Sequence, residues 1–545
     1  MNSFDQEPLK HPVSSSYPAI APPSFPCRPG TSILVDGDSD GDSEGLLTGK
    51  LAYYWTGKEY ARGHRCTLIF CTKPAPTFDW FNLAWVTVDS LPDVALIEIF
   101  EFYIDWAGIN AWRTLVHVCR KWRIVVFGSP RRLDLQLSCT PRLPVREMLD
   151  IWPLLPLIME AYRHEMWDMG RVDNVIAALE RNDRLYQLRL IDISSSQVEK
   201  VLPAMQQPFP ALIRLHVGFG DDVDETAPVI PASFLGGSTP RLQTLNLMHI
   251  PFPGLPKLLL SATHLVHLFL HRIPHSGYFS PEAIVTSLSV LTGLKFFAIN
   301  FESPRSRPDR KSRRPPPAAR TLLPSLIALD FKGNSEYLED LVARIDAPLL
   351  ENLEIIFFHQ LIFETPRLTQ FISRLPKQIT HNKARVLFSN KEVSVGLAQN
   401  EYIRLELGIS CRQSDWQLSS LAQICSSSFP QALIPAVEQF YILGGGHWVW
   451  QDDIDDSQWL ELLHLFSAVK DLYISREFAP FIARVLQELV GERVTEVLPS
   501  LQTLFFLEET LSSRPVQEVI GQFVTARQLA GHPIAISRWE IPEGK

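Results

Sequence analysis

The sequence predicts an α/β fold in two unequal parts. A short helical unit comes first, followed by a long curved solenoid whose strands align in a parallel sheet. Three observations predict this. Strand-like runs recur after Arg131 with helical stretches between them. A compact apolar block with helical periodicity, Leu91 to Phe127, stands just before them. The chain has 545 residues, more than one ordinary hydrophobic core organises, whereas stacked repeats have no such ceiling.

Composition bounds the function. The residues are 46% hydrophobic and 20% charged, a globular balance that excludes wholesale disorder. The net charge of -9 does not favour a nucleic-acid partner, because phosphate contacts need a basic surface. Seven Cys are scattered without a framework, and the N-terminus lacks the charged start and apolar run of a secretory signal. Both features point to a reducing compartment, cytoplasmic and/or nuclear. No segment reaches the roughly 18 uninterrupted apolar residues of a membrane span, so no membrane partner is expected.

Residues 1–50 are rich in Pro, Ser, Gly and Asp and are expected to be a disordered N-terminal segment. Asp36, Asp38, Asp40 and Gly41 match the first half of a calcium loop, but Leu47 stands where the bidentate Glu belongs. A solvated acidic linker is the better reading. Residues 51–88 form an aromatic appendage with no sustained period. Its His64, Cys66 and Cys71 lack the paired spacing of a zinc site.

The helical unit is placed at 89–128. Pro92 suits a first helical turn, and Asp93 suits the positive end of the helix dipole. Leu96, Phe100 and Tyr103 share one face, widened by Val94, Ile97 and Ile99. Gly108 and Asn110 break the pattern. A second helix carries Trp112, Leu115, Cys119, Trp122 and Val126 as one continuous stripe, with His117, Arg120, Lys121 and Arg123 off it. Two such helices carry more large apolar side chains than a short hairpin covers. The residues alone leave open whether the repeats or a partner covers the excess.

The solenoid is placed at 129–545. Runs such as "ALIRLHV", "RLQTLNLMHI" and "HLVHLFLHRI" share a Leu-x-x-Leu-x-apolar spacing. Examples are Leu212, Leu215 and Val217, then Leu265, Leu268 and Leu270. The middle runs recur every 23 to 32 residues or so, roughly the range of leucine-rich repeats. Stretches such as "PEAIVTSLSVLT" and "FAPFIARVLQELV" supply a helix for many of these units. Alternation puts Leu245, Leu247, Leu268, Leu270, Leu329 and Phe331 inward, with Leu242 inward at the bend, and leaves Thr244 and Asn246 on the concave surface. Unequal repeats are expected between "LLENLEIIFF" and "AVKDLYI". A basic loop at 302–320, with six Arg and one Lys, interrupts the array and reads as an exposed surface loop.

No catalytic pattern is present: no GxSxG, GxxxxGK[ST], GxGxxG or HExxH. The acids Asp452, Asp453, Asp455 and Asp456 near His447 suit the start of the following amphipathic helix. No catalytic residue, metal site or cofactor is expected.

The pattern Leu91-Pro92, then Ile97, Ile99 and Phe100, then Leu115, Val118-Cys119 and Trp122, closely resembles an F-box. The stretch "FYIDWAGINAW" between the helices is longer than the family's shortest loops. The remainder resembles large fungal F-box families with divergent leucine-rich-type repeats, although the family's Asn after the strand is mostly absent, Asn334 excepted. The resemblance implies a short helical F-box followed by a leucine-rich-repeat-like solenoid with a parallel sheet. It implies a non-catalytic, substrate-recognition subunit of an SCF-type ubiquitin ligase. Leu91, Pro92, Ile97, Phe100, Leu115, Cys119 and Trp122 would bind an adaptor of the Skp family, which would carry a cullin. The repeats would hold a protein substrate. The alternatives are a repeat scaffold that binds partners without ubiquitin transfer, or an enzyme within the repeats.

Overall fold

The chain divides into two units, residues 1–73 and 74–545. The structure, a computed structural model, describes residues 90–539 except 109, 163–168, 221–227, 309–318, 361–362, 376–380, 400–401, 412–413, 446–454, 490–492 and 508–513. The acidic linker, the aromatic appendage, His447, Asp452, Asp453 and most of the basic loop lie outside the described residues.

Three helices open the described part: α1 (Asp93–Ala107), α2 (Ala111–Val118) and α3 (Arg120–Gly128). The expected second helix is therefore two. The backbone at Cys119 is extended, with φ -156 and ψ 171, and its sulfur accepts the Trp122 N–H at 3.5 Å as the N-cap of α3. The apolar stripe runs on through a break that periodicity does not register.

The strands follow as β1 (Leu137–Cys139), β2 (Leu157–Tyr162), β3 (Leu185–Ile193), β4 (Arg214–Phe219), β5 (Thr244–Met248), β6 (His267–Ile273) and β7 (Phe296–Phe301). Then come β8 (Thr321–Leu322), β9 (Ala328–Gly333), β10 (Ile345–Asp346), β11 (Asn352–Phe358), β12 (Lys383–Phe388), β13 (Glu392–Gln399) and β14 (Tyr402–Ser410). The last are β15 (Gln439–Gly444), β16 (Asp471–Ile474), β17 (Thr503–Leu507) and β18 (Ala535–Trp539). Sixteen of them form one sheet in the order β1-β2-β3-β4-β5-β6-β7-β9-β11-β14-β13-β12-β15-β16-β17-β18. Strands β8 and β10 pair separately. Helices or short turns connect most neighbours, so the whole is a mixed α/β repeat array around a large, mainly parallel sheet.

The repeat has a backbone signature. One carbonyl just before a strand accepts two consecutive N–H groups of the following repeat. Gln243 O takes Val266 and His267, Val266 O takes Lys295 and Phe296, and Lys295 O takes Ile327 and Ala328. The motif returns at the far end, where Lys470 O takes Gln502 and Thr503. Buried carbonyls need donors, and this register supplies them at each step from Ile213 to Ile327 and again from Asn382 to Lys470.

Side chains obey the same register. One inward row runs Leu188, Leu215, Leu245, Leu268, Phe297, Leu329, Leu353 and Leu405 across eight neighbouring strands, all buried. The sequence-placed inward residues Leu242, Leu247, Leu270 and Phe331 are buried as well, while Thr244 and Asn246 are half-buried on the opposite face.

The array is not a uniform parallel row. Strand β13 is antiparallel to both β12 and β14, so β12–β13–β14 is a meander that runs backwards between β11 and β15. The sequence reading expected unequal repeats here but not this reversal. It also picks out none of β2, β8, β10, β12, β13 and β18.

At the start of the basic loop Glu302, Pro304, Arg305 and Arg307 are exposed, but Ser306 is buried, and Asn334 Nδ2 donates to Pro304 O at 2.9 Å and Ser306 O at 3.2 Å. The helix layer is tied similarly. The Glu339 carboxylate on α9 (Ser335–Val342) accepts the Arg367 and Leu368 N–H groups, capping α10 (Pro366–Ser373) of the next unit.

Two substitutions test this packing by urea denaturation. Leu245→Ala should cost about 2 to 5 kcal/mol by leaving a cavity in the inward row. Asn334→Ala should cost about 1 to 3 kcal/mol by stranding two carbonyls.

Candidate protein-binding surfaces

The helical unit is built around Leu96, Phe100, Trp112, Leu115, Val116 and Val126, all buried. It is not self-contained. Trp112 Nε1 donates to Gln136 O at 2.9 Å, its ring meets Trp152 edge-on at 5.1 Å, and Arg113 donates to Ser138 O at 2.8 Å. Ser138 lies on β1, the sheet's first edge, so Arg113 occupies a carbonyl that an edge strand would otherwise expose. Arg132 lies within 3.8 Å of both Glu98 and Glu101 on α1, an exposed pairing that adds little. The helices thus share one core with the first repeats, which cover part of the apolar excess.

The seven residues implied by the resemblance fall into different environments. Pro92 is exposed and is the N-cap of α1. Leu91 is half-buried, its carbonyl held by Lys121 Nζ at 2.7 Å. Trp122 is half-buried with its ring 4.7 Å from that of Phe100, and Cys119 and Ile97 are half-buried beside it in sequence and in the core, respectively. Phe100 and Leu115 are enclosed by the chain itself. The exposed large apolar residues of the unit are others: Val94 at 60%, Phe102, Val118 and Ile124 at 62%. Val94, Phe102 and Trp106 recur at multiples of four residues, a second helical stripe opposite Leu96 and Phe100 that periodicity could have disclosed.

The second surface is the face of the sheet turned away from the helices. Alternate residues there align across strands. Asp330, Glu354 and Glu406 stand in one row on β9, β11 and β14. Asn300 Nδ2 donates to Asp330 Oδ2 at 3.2 Å and lies 3.1 Å from His271 Nδ1. Lys332 reaches across β11 and β14 to Glu392 at 3.2 Å, with Gly408 between contributing no side chain. Partial burial, then the carboxylates of Asp330, Glu406 and Glu392, lift the Glu354 carboxyl from 4.5 to about 7, against the pull of Lys332. Glu354 still reaches solvent, so it is crowded and not sealed in. Further along the face, Tyr441, Tyr473 and Phe505 stack with centroids 4.2 and 4.3 Å apart, and Trp539 meets Tyr473 edge-on at 5.5 Å.

The remaining sequence candidates are structural. Asp455 caps α12 (Asp456–His464) by accepting the Ser457 N–H, and Asp456 pairs with Arg484 through two contacts at 2.8 Å. Among the described residues, no group of three or more His, Cys, Asp or Glu is placed to hold a metal ion, and no helix is long and apolar enough to cross a membrane.

No known protein family matches the sequence, and no curated protein matches it. Among solved structures the chain is similar to the leucine-rich repeat-containing protein LegL7 from Legionella pneumophila. That similarity has 12% sequence identity and a TM-score of 0.25, over 73% of this chain and 97% of that one.

The carboxylate row makes a pH-dependent prediction. The folded pKa of Glu354 lies above its ordinary value, so its share of stability is full below about 4.5 and is lost as pH rises to about 7. Above that, the ionised group must sit beside like charges. Glu354→Gln should therefore raise Tm at pH 8 and leave it nearly unchanged at pH 5, as read by thermal melts at both values.

Proposed function

We propose that this chain is the substrate-recognition subunit of an SCF-type ubiquitin ligase. The helical unit docks a Skp-family adaptor, which carries the cullin, and the leucine-rich-type repeats hold a protein substrate. The observation that carries the reading is the Leu91-Pro92 to Val118-Cys119-x-x-Trp122 pattern, set on three helices that leave Pro92, Val94, Val118 and Ile124 exposed. Exposed apolar side chains of this size favour a protein partner. The mechanism is positioning: tethering raises the effective concentration of substrate lysines near the charged enzyme. No bond chemistry is assigned to this chain.

A second reading has its own support. Trp112 is spent against the first repeats, and Arg113 covers the first sheet edge, which favours the helices as an N-terminal cap on a protein-binding scaffold.

A pull-down with purified adaptor and cullin separates the two. The full chain should retain both. Pro92→Ala with Ile124→Asp should weaken adaptor binding by about 2 to 4 kcal/mol if these residues anchor the contact. Circular dichroism of the variant checks that the helices persist. Adaptor binding that is absent, or unmoved by these changes and by Trp122→Ala, would sink the ligase reading and leave the scaffold.

A further inference from the structure

We propose that the open face of the sheet between β9 and β17 is the docking surface for an extended, cationic segment of the partner protein. Its basic side chains lie over Asp330, Glu354 and Glu406, and its apolar residues lie on the ring cluster of Tyr441, Tyr473, Phe505 and Trp539. The proposal rests on reading the repeats as the partner-binding part of the chain, and it names the chemistry of that partner.

The charge arrangement carries it. In a parallel sheet, neighbouring strands are about 4.8 Å apart, so three carboxylates in one row face each other directly. Like charges placed opposite one another destabilise a sheet. Nothing in the repeat demands them, because the same row is neutral on the strands before it, at Asn246, Phe269 and Ala298. On this face Lys332 is committed to Glu392, while Arg385 on β12 stands in the same row, parted from Glu406 by Gly396 on β13 and in register with Tyr441. Glu354 and Glu406 make no ion pair with any described residue. The basic residues at the other end of the face are arranged differently: Arg189 is in register with His216, and Arg214 with Gln187, so like charges are staggered there. The acidic row is thus a concentrated negative strip whose complement is a cation from outside the chain, and such complementarity sets partner choice and orientation.

The stacked rings supply the second half of the surface. Tyr441, Tyr473 and Phe505 use their faces on each other, each half-buried, and Trp539 stands edge-on to Tyr441 and Tyr473, which makes one four-ring cluster. From β11 to β16 there are five strand spacings, about 24 Å, which about seven residues of extended chain span. The segment that fits carries its basic residues roughly that far from its apolar ones.

Fluorescence anisotropy on the full chain tests this at about 0.15 M salt, where distant charges are screened. The probe is a labelled decapeptide of four arginines, a Gly-Ser-Gly spacer and three leucines. A control replaces the arginines with glutamates. The arginine peptide should bind and the glutamate peptide should not. Glu354→Gln with Glu406→Gln should weaken binding about tenfold, while Arg189→Gln with Arg214→Gln should leave it unchanged. The Glu variant should melt no lower than the parent, so lost binding cannot be unfolding. Equal affinity of the Glu variant for the arginine peptide would overturn the proposal and assign the attraction to the net charge of the chain. Failure of the arginine peptide to bind would overturn it outright. Adaptor binding is a separate readout: its loss with peptide binding intact would sink the ligase reading and spare this one.

Discussion

Everything in this molecule depends on register. The inward row that starts at Cys139 and Met159 passes through Leu188, Leu245, Phe297, Leu353 and Leu405 to Phe440, Leu472 and Leu504. Each side chain is covered from two sides by its counterparts in adjoining repeats. Full burial of such a side chain is worth roughly 1.5 to 3 kcal/mol, and no repeat achieves it alone. The shared carbonyl between successive repeats, from Ile213 to Ile327 and from Asn382 to Lys470, enforces the alignment, since a slip by one residue would turn the inward leucines to solvent. The row ends where the rule lapses: on β18 the inward positions are Ile536, 43% exposed, and the charged Arg538.

That constraint divides the labour. The inward face is committed to stability, so the open face and the helices at the start are the surfaces left for the proposed recognition. The open face is free to vary residue by residue, and it passes from staggered basic residues, through a row of carboxylates, to stacked rings. The helices are less free. Trp112 and Arg113 bind them to the first edge of the sheet, so a partner held by α1 to α3 is held rigidly with respect to the opening repeats.

Much of this was legible in the sequence wherever local pattern and final environment agree. Leu242, Leu245 and Leu247 announced both strand and inward face, because alternation is a local property. Strand β13 alternates Val393, Val395 and Leu397 just as well and follows the short turn Ser389–Lys391, yet no helix comes after it, so a strand-turn-helix template passed it over. Strand β18 was illegible because Arg538, opposite Phe506, interrupts the apolar signature after Ile536. At the helices, periodicity marked the stripe that the fold consumes, Phe100 and Leu115, more readily than the residues it leaves exposed, such as Ile124. The carboxylate row could not be read at all. Asp330, Glu354 and Glu406 belong to strands far apart in sequence, and only tertiary register makes them neighbours.

The reversed meander has a kinetic consequence. A regular repeat array can zip from any nucleus, each unit docking on the one just made. Here the zip stalls at β11. The next strand in the chain, β12, does not pair with it, and its true neighbour, β14, arrives only after β12 and β13 have turned back. Joining the two stretches requires closing a loop that spans the whole meander, an entropic cost incurred before any pairing rewards it. The stretches before and after this seam are thus free to nucleate separately, and the six-residue register of β11 with β14 waits on the folding of the meander.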